Sequence, residues 1–111
     1  MRRRDMIISQ TTSREFALEI TAALFESLLG HDIEITAAHG AERWRVDKVI
    51  RRAAHHARVG TPFDVYLTAP AHNDRQQGLR TVTLPSGDAL EFFAVPIAAT
   101  SASVSYEVIF N

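Results

Sequence analysis

The sequence predicts a mainly β domain: about six short strands in a small antiparallel barrel or curled sheet, with one short N-terminal helix. Three stretches carry that expectation. Residues 61–70 place Phe63, Val65, Leu67 and Ala69 on one face with a proline near each end, the period-two pattern of a half-buried strand. Residues 79–110 read as a meander of three strands, with a tight turn at Pro85-Ser-Gly-Asp88 between the first two. Residues 21–36 switch from helical spacing to strict alternation across Gly30.

That switch organises the chain. Thr21 can cap a helix by accepting from a free backbone N–H. Leu24, Phe25, Leu28 and Leu29 make an apolar stripe at helical spacing. Gly30 can adopt the left-handed conformation that ends a helix. Ile33 and Ile35 then alternate with Asp32 and Glu34 in a strand over 32–37. Before the helix, residues 1–13 read as a flexible basic tail and 14–111 as a single β domain. Residues 14–20 suit a strand, through Phe16, Leu18 and Ile20, and also a backward extension of the helix, because Thr12 and Glu15 stand at capping-box spacing. The extended reading is adopted, with the helix starting at Thr21.

A turn at 37–41 leads into a strand over 42–50. There Trp44 and Val46 face one side, and Arg43, Arg45 and Asp47 the other. The adjacent pair Val49 and Ile50 breaks the phase, as a bulge or a strand end does. Residues 51–60 form a polar link and 71–78 a surface loop with no apolar residue larger than alanine. The strand over 79–84 carries Val82 and Leu84. The strand over 89–97 contains adjacent Phe92 and Phe93, which requires burial on both faces or a bulge. In the last strand Val104, Tyr106, Val108 and Phe110 alternate with Ser105, Glu107 and Ile109.

Composition narrows the function. With 111 residues, 46% apolar and 23% charged, the chain is long enough for one core and ordinary for a soluble globular protein. A net charge of −1 argues against binding nucleic acid by phosphate neutralisation. The absence of cysteine removes disulfides, thiolate chemistry and Cys-based zinc sites. No apolar run approaches a membrane span, and the apolar stretch after the N-terminal arginines stops at Ile8, too early for a signal peptide. The expected location is the cytoplasm, with possible association with an assembled appendage or particle.

A signature of Thr21, Phe25, Leu28 and Gly30 precedes an alternating strand. It is followed by a proline-phenylalanine strand from Pro62 to Pro70, a polar loop to Gly78, the segment from Leu90 to Ile97, and Tyr106 to Phe110. This arrangement resembles a family of small, functionally uncharacterised bacterial proteins encoded near phage tail-collar-type proteins of the microcystin-dependent family. The resemblance spans roughly residues 21–111. It implies a structural piece or assembly helper of a tail-fibre-like or secreted-appendage system, and implies no reaction. The link at 51–60, with its paired histidines, is more basic than that pattern.

No catalytic or ligand motif stands above background. His55 and His56 are adjacent, so their side chains diverge, and His31, His39 and His72 fall in or beside turns. No cofactor and no metal ligand is assigned. Asp64, Glu91 and Glu107 lie on the polar phase of strands and Asp88 in a turn, where nothing predicts the apolar pocket a catalytic carboxyl needs. Ser86 reads as turn chemistry. Arg43, Arg45, Lys48, Arg51, Arg52 and Arg58 form the one concentrated basic region, but Trp44 should point inward, away from any base it might stack on.

Apolar excess is the more telling feature, because the segments around Phe92-Phe93 and Val108-Ile-Phe110 are apolar on both strand phases. The expected function is therefore a non-enzymatic structural or interaction module. Its expected partner is a tail-collar or fibre-type protein, or a second copy of itself. Its surface is placed at Phe92, Phe93, Ile109, Phe110, Arg43 and Arg45, with the last strand as an open sheet edge. The alternatives are a small-molecule-binding barrel lined by Trp44, Phe63, Leu67 and Tyr106, and a minor hydrolase.

Overall fold

In a computed structural model of the chain, which describes residues 18–38, 40–53 and 61–111, six antiparallel strands close into a barrel with one short helix across an end. The expected tail, part of the polar link, and His39, His55 and His56 lie outside the described residues. The strands are β1 (Asp32–Ala37), β2 (Gly40–Arg51), β3 (Phe63–Pro70), β4 (Gly78–Thr83), β5 (Ala89–Ala99) and β6 (Ser103–Phe110). Around the barrel they run β1-β2-β3-β6-β5-β4. Closure between β1 and β4 rests on two residue pairs, Glu34 with Thr83 and Ile35 with Val82.

The helix α1 (Ala22–Glu26) begins where Thr21 accepts a 3.1 Å hydrogen bond from the Leu24 N–H. It is a single turn and a half, shorter than the stripe predicted. Phe25 and Ala22 are buried, Leu24 and Leu28 are half-buried against the core, and Leu29 is left exposed. The chain reverses through Gly30 at φ +81°, an angle that favours glycine. The Gly30 N–H donates to the Val46 carbonyl and the Val46 N–H to that of His31. These two bonds lock the turn onto β2. Phe25 then packs on Phe63 and Phe110, with ring centroids 6.0 and 5.5 Å away. An aromatic plug thus closes the end of the barrel where β3 begins and β6 ends.

Alternation fills the interior. Phe63, Val65, Leu67 and Ala69 are buried in β3, and Val104, Tyr106 and Val108 in β6. Trp44 and Val46 point inward from β2 as predicted, and the pairing with β3 slips between Val46 and Lys48. That bulge absorbs the phase break read at Val49 and Ile50. The adjacent phenylalanines need neither double burial nor a bulge. Phe92 is inside and Phe93 outside by simple alternation, and the irregularity in β5 falls later, between Pro96 and Ala98. The last strand is no open edge: β6 pairs with β3 on one side and β5 on the other, so closure uses both of its hydrogen-bonding flanks.

Candidate functional site

The outer face of β4, β5 and β6 departs from the usual polar exterior of a small barrel. Leu79 lies directly opposite Phe93 in the β4–β5 register. Ile109 is one residue beyond Val108, the partner of Ala94, so it stands beside Phe93 on the next strand. These three side chains are 68%, 49% and 54% exposed respectively. They form one row: Leu79 and Phe93 are cross-strand partners, and Ile109 follows the last β5–β6 pair. Val95 and the exposed Ile97 continue the apolar surface along β5. The charges facing outward here are Glu91 and Glu107, and Glu107 accepts a 2.8 Å bond from the Tyr66 hydroxyl. That bond, followed by burial, raises the Tyr66 pKa. The only cation in these three strands is Arg80, which points inward.

The residues singled out from sequence therefore separate. Phe93 and Ile109 are on this row. Phe92 is 3% exposed, in the core near Trp44, and is not surface. Phe110 is half-buried and stacks on Phe63 at 4.7 Å. Arg43 and Arg45 stand on β2, across the barrel from β5, with Glu34 and Asp32 opposite them on β1. Arg45 also bonds Asp47 at 2.6 Å, which raises its pKa further. Cross-strand carboxylates thus balance the basic face. Leu79 is absent from the sequence-predicted surface, where its strand is represented by Val82 and Leu84. The phase of those two residues already places Leu79 outside.

Beneath Leu79 is a second constellation that sequence reasoning missed. Arg80 points into the open end of the barrel, its side chain 10% exposed, with its guanidinium 5.3 Å from the Trp44 ring and 5.6 Å from that of Tyr106. Those rings stack at 4.3 Å. Arg80 donates to the Gln76 carbonyl at 2.6 Å, to Asp74 at 3.1 Å and to the Tyr106 hydroxyl at 3.3 Å. Its Nε finds no acceptor among the described residues.

The loop at 71–77, expected at the surface, instead sends Asn73 into the barrel. The Asn73 amide donates to Glu42 at 2.8 Å, and its oxygen accepts from the Arg75 N–H at 2.7 Å and from the Tyr106 hydroxyl. Glu42, itself buried, also accepts from Trp44 Nε1 at 2.9 Å. Burial chiefly raises the Tyr106 pKa, against the opposing effects of Arg80 and Asn73. Buried polar groups need partners, and here the Asn73 amide and the Tyr106 hydroxyl join the loop to the sheet. The arrangement is a polar lid on the barrel end opposite α1, and Trp44, Leu67 and Tyr106 fill the interior below it.

Among the described residues no three His, Cys, Asp or Glu side chains gather in a metal-holding group. Of the carboxylates weighed for acid–base work, Asp64 pairs with Arg52 at 3.0 Å, Asp88 bonds Ser86 at 2.9 Å and Glu107 bonds Tyr66. Those three lie on different elements; Asp88 and Glu91 both border an open cleft beside Leu18 and Ile20. No helix among the described residues is long and apolar enough to cross a membrane.

Compared with known proteins, residues 20–110 match the family described as "Domain of unknown function (DUF6916)". The match takes in the helix and all six strands. No curated protein and no solved structure matches the chain.

Proposed function

We propose that this chain, which belongs to the DUF6916 family, is a non-enzymatic protein-interaction module that binds through the outer face of β4, β5 and β6. The observation that carries this reading is the row Leu79–Phe93–Ile109, three large apolar side chains exposed side by side on adjacent strands. Leaving them in water forgoes burial worth about 1.5–3 kcal/mol per fully buried side chain, and a contiguous apolar patch with a polar rim is the usual mark of a contact surface. The resemblance to proteins encoded near tail-collar-type genes supplies the partner class, a fibre or tail-collar protein, with the domain acting in the cytoplasm as an accessory of its assembly. The ligand-carrier alternative has less support, because two of the side chains proposed to line a cavity, Trp44 and Tyr106, stack on each other, and a third, Phe63, stacks on Phe110.

The test is capture from the native lysate with full-length tagged chain, in parallel with Phe93→Ser and with Arg43→Ser, and light scattering on each preparation. Recovery of a fibre-type protein by the parent chain and by Arg43→Ser, but not by Phe93→Ser, supports the proposal. Equal recovery by all three moves the surface elsewhere. A clean monomer that recovers nothing removes the interaction reading.

A further inference from the structure

The apolar row ends at Leu79, and the strand that carries it has a free flank. Hydrogen bonding in an antiparallel ladder alternates from pair to pair. The Leu84 N–H donates to the Asp88 carbonyl at 2.8 Å. Counting back from that pair, Val82, Arg80 and Gly78 exchange bonds with Leu90, Phe92 and Ala94 of β5, and Thr83, Thr81 and Leu79 turn their backbone groups to the opposite flank. Thr83 meets Glu34 of β1 there, and the pairing of β1 with β4 stops at Ile35 and Val82. Beyond that point Thr36 and Ala37 are paired with β2. Among the described residues no strand pairs with Leu79 on this flank.

Other flanks beside the same face are closed to a further strand. β5 pairs with β4 up to Ala94 and with β6 from Ala94 onward. Along Val95–Ala99 its flank toward β4 is blunted. Pro96 is two residues from Ala94 and turns the same way, where it offers no N–H, and the register slips between Pro96 and Ala98. Along Ala89–Glu91 the flank toward β6 borders a cleft shared with Leu18 and Ile20. The β4 flank has neither protection. Gly78–Thr81 contains no proline, and its register with β5 is unbroken. An unpaired N–H and carbonyl on a strand flank are matched by another extended backbone.

Charge adds to the description of what fits. Thr81 lies opposite the exposed Glu91, and the only cation of the three strands, Arg80, points inward. A strand beside β4 would set one residue next to Leu79 and another, two positions along, next to Thr81, both on the outer face. An apolar side chain at the first continues the row. A basic side chain at the second stands on the face of Glu91, where opposite charges attract.

Resting on the reading of this face as a binding surface, we infer that an extended segment of the fibre-type partner adds as a strand along the Gly78–Thr81 flank of β4, with an apolar residue beside Leu79 and a lysine or arginine beside Thr81. Backbone pairing at β4 then sets the register in which the rest of the partner meets Phe93 and Ile109.

The test is amide hydrogen exchange, read residue by residue by NMR on isotope-labelled full-length chain, alone and saturated with the fibre-type protein recovered by capture. In the free chain the Leu79 amide should exchange fast and that of Arg80, bonded to β5, slowly. In the complex the Leu79 amide should slow about tenfold or more, because it then exchanges only when the added strand opens. Thr81→Pro removes an N–H from the free flank and leaves the row intact, whereas Thr81→Val keeps the N–H. Capture should be lost in the first and retained in the second, with circular dichroism showing that both fold; if Thr81→Pro does not fold, the exchange of Leu79 decides alone. A Leu79 amide that stays fast in the complex overturns the inference. Protection of Leu79 that rises with the concentration of the free chain also overturns it, and assigns the flank to a second copy. Capture that depends on Phe93 while Leu79 stays fast leaves the face as the binding surface and removes only strand addition. Recovery of nothing removes both.

Discussion

Replacing Glu42 by alanine removes the acceptor on which the polar lid converges. Two buried donors lose their partner at once, Trp44 Nε1 at 2.9 Å and the Asn73 amide at 2.8 Å. A buried donor left unsatisfied costs about 1–3 kcal/mol, so the two together cost about 2–6 kcal/mol. A domain of this size holds a total stability of about 5–15 kcal/mol, so this one substitution removes a large part of it. With a urea m-value of about 2 kcal/mol/M, the unfolding midpoint falls by about 1–3 M. Glu42→Gln keeps an acceptor of the same shape and loses only the charge assistance, so its loss should be much the smaller. The assay is urea unfolding followed by circular dichroism and by the fluorescence of Trp44, the only tryptophan. The second probe reports from inside the network. If Glu42→Ala stays within about 1 kcal/mol of the parent by both probes, below the cost of even one orphaned donor, the lid does not hold the barrel end and the reasoning fails.

Other expectations follow from individual contacts. Thr21→Ala deletes the cap of α1 and should cost about 1 kcal/mol, seen as a fall in Tm of about 4 °C; an unchanged Tm would mean that α1 is held by Phe25 alone. Glu26 accepts two bonds from Arg51, which lower its pKa below the ordinary 4.5. A depressed carboxylate contributes stability that is fully present above about pH 4.5 and is lost as pH falls through the folded value. Glu26→Gln should therefore lower the urea midpoint at pH 7 and bring it closer to the parent's as pH drops below that range; an equal difference at every pH would refute the linkage. The only two tyrosines, Tyr66 and Tyr106, both have raised pKa values. Tyrosinate absorbance should then be below its midpoint at pH 10, and half-ionisation at that pH contradicts the geometry around both rings. For a raised group the linked stability is present below the unfolded value and lost as pH rises through the folded one. Phe93→Ser should leave the Tm nearly unchanged, because about half of the ring is already exposed in the folded chain; a large fall would make the ring structural.

Strands whose alternation is complete were legible from sequence, and β3 is the clearest case. Every second residue from Phe63 to Ala69 is buried, and the pattern alone said so. The N-cap at Thr21 was legible too, and a break in β2 was read from the adjacent Val49 and Ile50, although the register slips earlier, between Val46 and Lys48. Two adjacent apolar residues were harder to read. Phe92 and Phe93 suggested double burial or a bulge, whereas the sheet simply leaves one of them in water, because covering it is not required for the barrel to close. The inward placement of Arg80 was illegible for a different reason. Periodicity assigns an inward arginine as an anomaly, and only the stacked faces of Trp44 and Tyr106, brought together from β2 and β6, make the position tolerable. Asn73 was lost in a polar loop, since its partners Glu42 and Tyr106 are more than thirty residues away in opposite directions. The surface grouping was half legible. Phe93 and Ile109 follow from alternation, but strand order decides that Arg43 and Arg45 are across the barrel from them, and order is not written in any local pattern.

The binding surface is tested most directly by its footprint. Isotope-labelled full-length chain is titrated with the fibre-type protein recovered in the capture experiment, and backbone amide shifts are mapped. Perturbations centred on Leu79, Phe93 and Ile109, with Arg43 and Arg45 unmoved, are the expected result. Perturbations centred on the β1–β2 face or on the loop at 71–77, with the amide of Phe93 unchanged, would contradict it.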